Sequence, residues 1–197
     1  NKSFINDTSA TSAPGSKNVL IEGNLITGGN LGITDYNDTG NAVTILMGAS
    51  NTTGYFDWVI RGNMFVDCLY TGSVTGSAGS GGHIRIDSAV SARFTVEDNV
   101  FIQTDERVGV GCVNWAQGSD VTIRRNRIIR TADVSDDTYI TGSAFPFINV
   151  PWSATASRGI IDDNEIHYTG TETRTGGTGV IGFGKRAGAC ALANLSV

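Results

Sequence analysis

Five copies of one short segment constrain this chain more than any other feature. In each, an apolar, largely β-branched stretch runs into an asparagine and stays apolar beyond it. The copies are Val19–Ile26 (VLIEGNLI), Trp58–Phe65 (WVIRGNMF), Phe94–Phe101 (FTVEDNVF), Val121–Ile128 (VTIRRNRI) and Gly159–Ile166 (GIIDDNEI). Their asparagines, Asn24, Asn63, Asn99, Asn126 and Asn164, stand 39, 36, 27 and 38 residues apart. A constant unit joined by connections of varying length is the signature of a stacked repeat.

The local period says which kind of repeat. Counting from each asparagine, positions minus five, minus three and plus two are almost all large and apolar, and position minus two is always charged. Such alternation belongs to a strand with one buried face. No leucine-rich, ankyrin or tetratricopeptide consensus is present. A second strand is expected in each unit, at Val43–Met47, His83–Asp87, Val110–Val113, Phe147–Val150 and Gly179–Phe183, with Gly, Ser, Thr and Asp clusters such as 71–82 and 169–179 as loops. The expected fold is therefore all-β, a parallel β-helix of about five coils. Each asparagine is expected at a corner, where a residue tolerant of left-handed dihedrals is suited. Stacked asparagine amides would bond to one another and to the turn backbone, satisfying groups that would otherwise be buried bare.

The V-x-I-x-x-N-x-[IF] pattern resembles the right-handed parallel β-helix of the pectate-lyase-like superfamily, most of all the shafts and receptor-binding domains of bacteriophage tailspikes. The resemblance covers residues 18–184, leaving 1–17 as an irregular N-terminal arm or partial cap and 185–197 as a C-terminal tail or cap. It implies attachment to bacterial cell-surface polysaccharide, with or without hydrolysis of that polymer, and other virion proteins as neighbours. The chain would then be made in the host bacterial cytoplasm and end on the virion, at the tail or outer surface. A rigid spacer or capsid-decorating protein is the non-enzymatic alternative, and a polysaccharide lyase a second one.

Size bears on partners. Five coils at about 4.8 Å each make a stub of roughly 20–25 Å, whose open ends need covering. A side-by-side homotrimer is the simplest expectation, and a chain processed or cut from a longer protein another; the absence of an initiator methionine points to the latter.

Charge and cysteine content narrow the classes. A net charge of -5 argues against a nucleic-acid partner, which needs a basic face. No run of 18 apolar residues and no leader pattern points to a membrane. Cys68, Cys112 and Cys190 have no metal-ligand spacing and read as buried free thiols, so neither a metal nor a cofactor is expected.

The minus-two column reads Glu22, Arg61, Glu97, Arg124, Asp162. In register, acid and base alternate up one outer face, the arrangement such a ladder tolerates best. Arg61 and Arg124 interrupt the acids, which counts against a calcium-dependent lyase, since calcium wants converging carboxylates. For glycoside hydrolysis a carboxylate pair is needed, about 5–5.5 Å apart for retention or about 6.5–9.5 Å for inversion. Asp87 and Glu97 are the first choice for that pair, with Asp67 and the Asp105-Glu106 loop behind them; each is equally readable as a solvated surface carboxylate. Alternation in His83–Asp87 directs His83, Arg85 and Asp87 outward together. Glycan contacts are expected from Arg85 and from Tyr36, Tyr55 and Tyr139 in loops, with Trp115 and Trp152 as stacking platforms if they face outward. Alternation places those two tryptophans inward instead, and Trp58 is in a core column. The basic stretch Arg124–Arg130 can grip anions, but Arg125 and Arg127 are better spent on Asp98, Asp163 and Glu165.

Overall fold

The computed structural model describes residues 2–9, 18–27, 42–49, 56–68, 74–75, 82–87, 92–105, 112–117, 120–133, 140–141, 147–150, 157–171, 181–183 and 192–196. Among them there is no helix, and the described part of the protein is all-β. Sheet A orders β1 (Lys2–Ser9), β4 (Ala42–Ala49), β8 (Gly82–Asp87), β11 (Val113–Gln117), β15 (Ile148–Val150) and β18 (Ile181–Phe183). Sheet B orders β2 (Asn18–Glu22), β5 (Phe56–Arg61), β9 (Ala92–Glu97), β12 (Asp120–Arg124), β16 (Ser157–Asp162) and β19 (Leu192–Ser196). Sheet C orders β3 (Leu25–Thr27), β6 (Met64–Val66), β10 (Val100–Gln103), β13 (Arg127–Arg130) and β17 (Glu165–Tyr168). A separate short pair joins β7 (Val74–Thr75) to β14 (Ile140–Thr141). Every pairing in these sheets is parallel.

The chain visits the sheets in the fixed order A, B, C, and one such visit is called a row below. Each repeat thus supplies two strands, one before its asparagine in sheet B and one after it in sheet C. The register is the one that aligning the asparagines gives. Val19, Trp58, Phe94, Val121 and Gly159 are successive partners, as are Glu22, Arg61, Glu97, Arg124 and Asp162. A slip of one residue would send each apolar set to solvent, so the buried face holds this register. In sheet A the fourth strand, β11, runs Val113–Gln117, later than the expected Val110–Val113, of which Val110 and Gly111 lie outside the described residues. Lys2–Ser9, within the stretch read as an irregular arm, is a strand paired with Ala42–Ala49. Leu192–Ser196, within the stretch read as a tail or cap, pairs with β16.

One core draws on all three sheets. Trp58, Ile60, Phe94, Val96, Val121 and Ile123 come from sheet B, Phe65, Phe101 and Ile128 from sheet C, and Ile84, Ile86, Val113 and Ile148 from sheet A. Equivalent positions lie one above another, so like packs on like; the Phe65 and Phe101 rings stack at 4.9 Å, 9° from parallel. Burying each such side chain contributes about 1.5–3 kcal/mol, the main return on ordering the chain.

The corner differs from expectation. The left-handed residue is the one before each asparagine: φ is 68° at Gly23, 62° at Gly62, 55° at Asp98, 51° at Arg125 and 50° at Asp163. The asparagine is reserved for a different task, because its amide must point along the stack.

Candidate functional site

Sheet B and the corners beside it carry charge organised in columns. In the minus-two column Arg61 Nε donates to Glu22 at 2.8 Å, and Arg124 Nε to Glu97 at 2.8 Å. One column over, Arg125 grips Asp98 with two bonds of 2.8 Å and reaches Glu97 at 3.1 Å. On sheet C Arg127 pairs with Glu165 at 3.2 Å, and His167 Nε2 lies 2.6 Å from the same carboxylate. The expected partners of Arg125 and Arg127 are thus met at Asp98 and Glu165. Arg125 holds the Asp98 carboxyl below the usual carboxylate range, and the His167 hydrogen bond, with Arg127 behind it, lowers Glu165. Glu22 and, more weakly, Glu97 and Asp98 raise Arg61 above its ordinary value.

A second ladder four residues earlier escaped the sequence reading. Asp57, Arg93, Asp120 and Arg158 are successive partners in sheet B. Arg93 pairs with Asp57, and Arg158 donates to Asp120 at 2.9 Å. The signal was present, since the same alternation of sign appears when the repeats are aligned. Between the two ladders runs an uncharged column, Leu20, Val59, Thr95, Thr122 and Ile160, with Leu20 and Ile160 well exposed.

The asparagine column lies at the edge between sheets B and C. From row to row the backbone N–H and side-chain Nδ2 of one asparagine donate to the Oδ1 of the next. These bonds are 3.0 Å from Asn24 to Asn63, 3.0 Å from Asn63 to Asn99, and 3.1 and 3.0 Å from Asn99 to Asn126. Asn126 donates to Asn164 at 3.1 and 2.9 Å. Each Nδ2 from Asn63 onward also donates back to a carbonyl in the row before, at Ile21, Ile60, Val96 and Ile123. Asn63, Asn99 and Asn126 are buried.

Of the two carboxylates first chosen for catalysis, Glu97 is 8% exposed and its Oε2 accepts from both Arg124 and Arg125. Both bonds tie Glu97 to the next row, and each is a charge-assisted pair. Asp87 lies on β8 opposite Gln117, and Arg85 opposite Asn114. Trp115 lies opposite Ile86. The side chains of Arg85, Asp87 and Trp115, and all of Tyr36, Tyr55, Tyr139, Trp152, Glu106 and Cys190, lie outside the described residues. Asp67 is a local clamp: its carboxylate accepts from the Thr104 N–H and hydroxyl at 2.6 Å each and from the Asp105 N–H at 3.3 Å.

His83 is a correction. Expected outward with Arg85 and Asp87, it is fully buried, its ring set edge-on to Phe65 at 5.9 Å and Phe101 at 5.5 Å. Strict alternation assigns faces along the middle of a strand; at the first residues of β8 the ring turns onto the aromatic stack instead.

Below the surface lies a polar cluster that the sequence reading also missed. Arg130, 1% exposed, donates to Gln103 Oε1 at 3.0 Å and to the Asp133 carbonyl at 2.9 Å. Gln103 Nε2 in turn lies 3.4 Å from Cys112 Sγ. Alternation from Asn126 gives Arg130 the same face as Ile128, which was the available sign. Burial pushes the Cys112 thiol far up, against the opposing field of Arg130, so it stays a neutral thiol. Cys68 is buried as well, its Sγ 3.8 Å from the Ile26 carbonyl.

No group of three His, Cys, Asp or Glu among the described residues is arranged to hold a metal ion, and none of their helices is long and apolar enough to cross a membrane. No family model, curated protein or solved structure matches the chain.

Proposed function

We propose that this chain is a right-handed parallel β-helix of the tailspike kind, working as a rigid shaft or receptor-binding segment on a bacteriophage virion. In this reading it binds bacterial surface polysaccharide in shallow grooves along its rows or between the subunits of a side-by-side homotrimer. One observation carries the fold in this reading: strands visit three sheets in an unvarying A, B, C order, and every pairing is parallel; the glycan role rests on the sequence resemblance. Parallel strands need a crossover between them, and a chain without helices among its described residues makes that crossover by going round through the other two sheets. The two charge ladders and the asparagine column support a long-lived, register-locked rod.

The same ladders favour binding or spacing over chemistry. Glu97 is held by two arginines, and the acids of the described sheet B face are mostly paired with bases. A hydrolase would need Asp87 and a second carboxylate free in one groove; a calcium-dependent lyase would need acids that no cation interrupts.

The decisive experiment incubates the protein with capsule and O-antigen polysaccharides from a host panel, reading retention on immobilised polymer and new reducing ends in parallel. The expected result is retention of one polymer class without chain shortening. Shortening that disappears in Asp87→Asn and leaves no unsaturated sugar end would make it a hydrolase, shortening with such an end a lyase, whereas neither retention nor shortening on any polymer would leave the spacer or capsid-decorating role. Sedimentation equilibrium at micromolar protein should give three times the 20.7 kDa chain mass.

A further inference from the structure

Along each strand of sheet B the two charge ladders carry opposite signs. Asp57 is followed four residues on by Arg61, Arg93 by Glu97, Asp120 by Arg124 and Arg158 by Asp162, and the order inverts at each step up the stack. Residues i, i+2 and i+4 of a strand share a face. The face turned from the core is therefore a checkerboard of charge with a neutral column, Leu20, Val59, Thr95, Thr122 and Ile160, down its centre.

A single chain has no use for the phase between the ladders. Each ladder must alternate within itself, where neighbours stand about 4.8 Å apart. Across a row the charges are roughly 13 Å apart, beyond a Debye length of about 8 Å at physiological salt, so like signs there would cost little. Two ladders in phase would serve one chain as well as two out of phase.

Between copies of the chain the phase is decisive. When copies stand side by side about an axis along the stack, with rows level, the first ladder of one meets the second ladder of the next. Ladders in phase would lay like charge on like; these bring Asp57 to the partner's Arg61, Asp120 to the partner's Arg124 and Arg158 to the partner's Asp162. Row three adds no pair, because Glu97, 8% exposed, already accepts from Arg124 and Arg125. Arg61, Arg124 and Arg158 hold the acids of their own ladders through Nε, with side chains between 43% and 70% exposed. A second carboxylate can therefore take the Nη side of each fork without breaking that bond. A slip of one row would set like on like again. Level rows also bring Leu20 to Leu20 and Ile160 to Ile160, side chains 55% and 46% exposed. An antiparallel pairing centred between rows three and four matches the signs too, but it would lay Leu20 on the row of Ser196, which stands opposite Ile160.

We infer that the charged face of sheet B is where copies of this chain meet, parallel and with rows level, around the axis of the homotrimer. The neutral column lines that axis and the two ladders close against those of the neighbouring subunits. This rests on the homotrimer of the proposed function and adds to it the face and the register; it holds whether or not the assembly binds glycan. Complementary ladders of this kind fix orientation and register more than they add affinity.

The test places a thiol at the exposed positions Leu20→Cys or Ile160→Cys of the full chain, in a Cys190→Ser background; Cys68 and Cys112 are buried. Each variant is treated at micromolar concentration with a bismaleimide shorter than the four-row spacing between the two positions, roughly 19 Å. Each variant alone should link to itself in most chains, and an equal mixture of the two should give no mixed product. Leu25→Cys, exposed on sheet C, should stay unlinked. Sedimentation equilibrium should show association about ten-fold weaker in 1 M salt. Val59→Lys, whose folding circular dichroism verifies, gathers its lysines on the axis and should sediment as a monomer. A trimer in which neither Leu20→Cys nor Ile160→Cys links to itself overturns the inference and leaves the homotrimer standing. Links between the two variants without links within either mean antiparallel pairing and overturn the register. Wild-type monomers at micromolar concentration overturn both the inference and the homotrimer.

Discussion

Asn99 and Asn164 occupy the same place in the third and fifth repeats and accept the same pair of bonds from the row before, yet one is fully buried and the other is not. The difference teaches that the column draws its strength from water exclusion rather than from the bonds themselves. A hydrogen bond exchanged with water nets about 1 kcal/mol, whereas a buried group left unpaired costs about 1–3 kcal/mol. Asn99→Ala orphans the Ile60 carbonyl and the Asn63 N–H in one step. It should cost about 3–5 kcal/mol in urea unfolding, among the largest single-residue losses available. Asn24→Ala, at the exposed end, should cost about 1 kcal/mol or less. Equal losses at the two positions would break the comparison.

Row four offers a second contrast of the same kind within a few residues. Arg130 is buried against Gln103 and the Asp133 carbonyl, while Arg125 lies at the surface with Asp98. Arg130→Met should lower stability by about 2–4 kcal/mol, since it removes the partner of the buried Gln103 oxygen and of the half-buried Asp133 carbonyl while keeping most of the volume. Arg125→Met should shift the thermal midpoint far less, and any shift should shrink in high salt, which screens only the exposed pair.

How much of this was legible in the sequence depends on what each column is for. The sheet B register and the minus-two ladder follow from period two and a fixed asparagine, because core volume and cross-strand charge leave those residues little freedom. The corner was misplaced by one residue. Asparagine tolerates a left-handed φ, but so does the glycine before it in the first two repeats, and only the stacked amide decides which residue turns. Gly23 and Gly62 were the available signal. His83 was misread because alternation does not hold at a strand's start, and at Glu97 the charge was legible while Arg125's reach across to it was not. Sheet A was the least legible, its strands sharing no one residue type that marks the register in every row, and the tyrosines expected to meet glycan lie outside the described residues.

A smaller effect sharpens the point about the corner. A non-glycine residue in the left-handed region costs about 1–2 kcal/mol, somewhat less for aspartate. At Asp163, φ is 50° and the side chain has no ion partner among the described residues. Asp163→Gly should therefore stabilise the protein by about 0.5–1 kcal/mol after the added freedom of the unfolded chain is subtracted. Asp98→Gly, at the same corner in row three, relieves similar strain but gives up Arg125, so it should gain less. Urea midpoints of the two variants, measured side by side, separate backbone strain from charge.

The smallest expected effect isolates charge alone. Arg125 depresses the Asp98 carboxyl below its ordinary value, so the folded state favours the ionised form more than the unfolded state does. A depressed folded value adds stability above the unfolded pKa, near 3.9, and that addition disappears as pH falls through the folded value. The pair lies exposed at the surface, where water and salt screen it, so its worth is small. The stability difference between the wild type and Asp98→Asn should be level from pH 7 to about 5, close toward zero below about pH 4, and vanish at all pH values in 1 M salt. The deficit of Asn99→Ala, made of uncharged buried bonds, should keep its size across the same range. If both differences fade together in acid, the stack is opening as a whole and the separation of a dry amide column from a wet charge ladder does not hold.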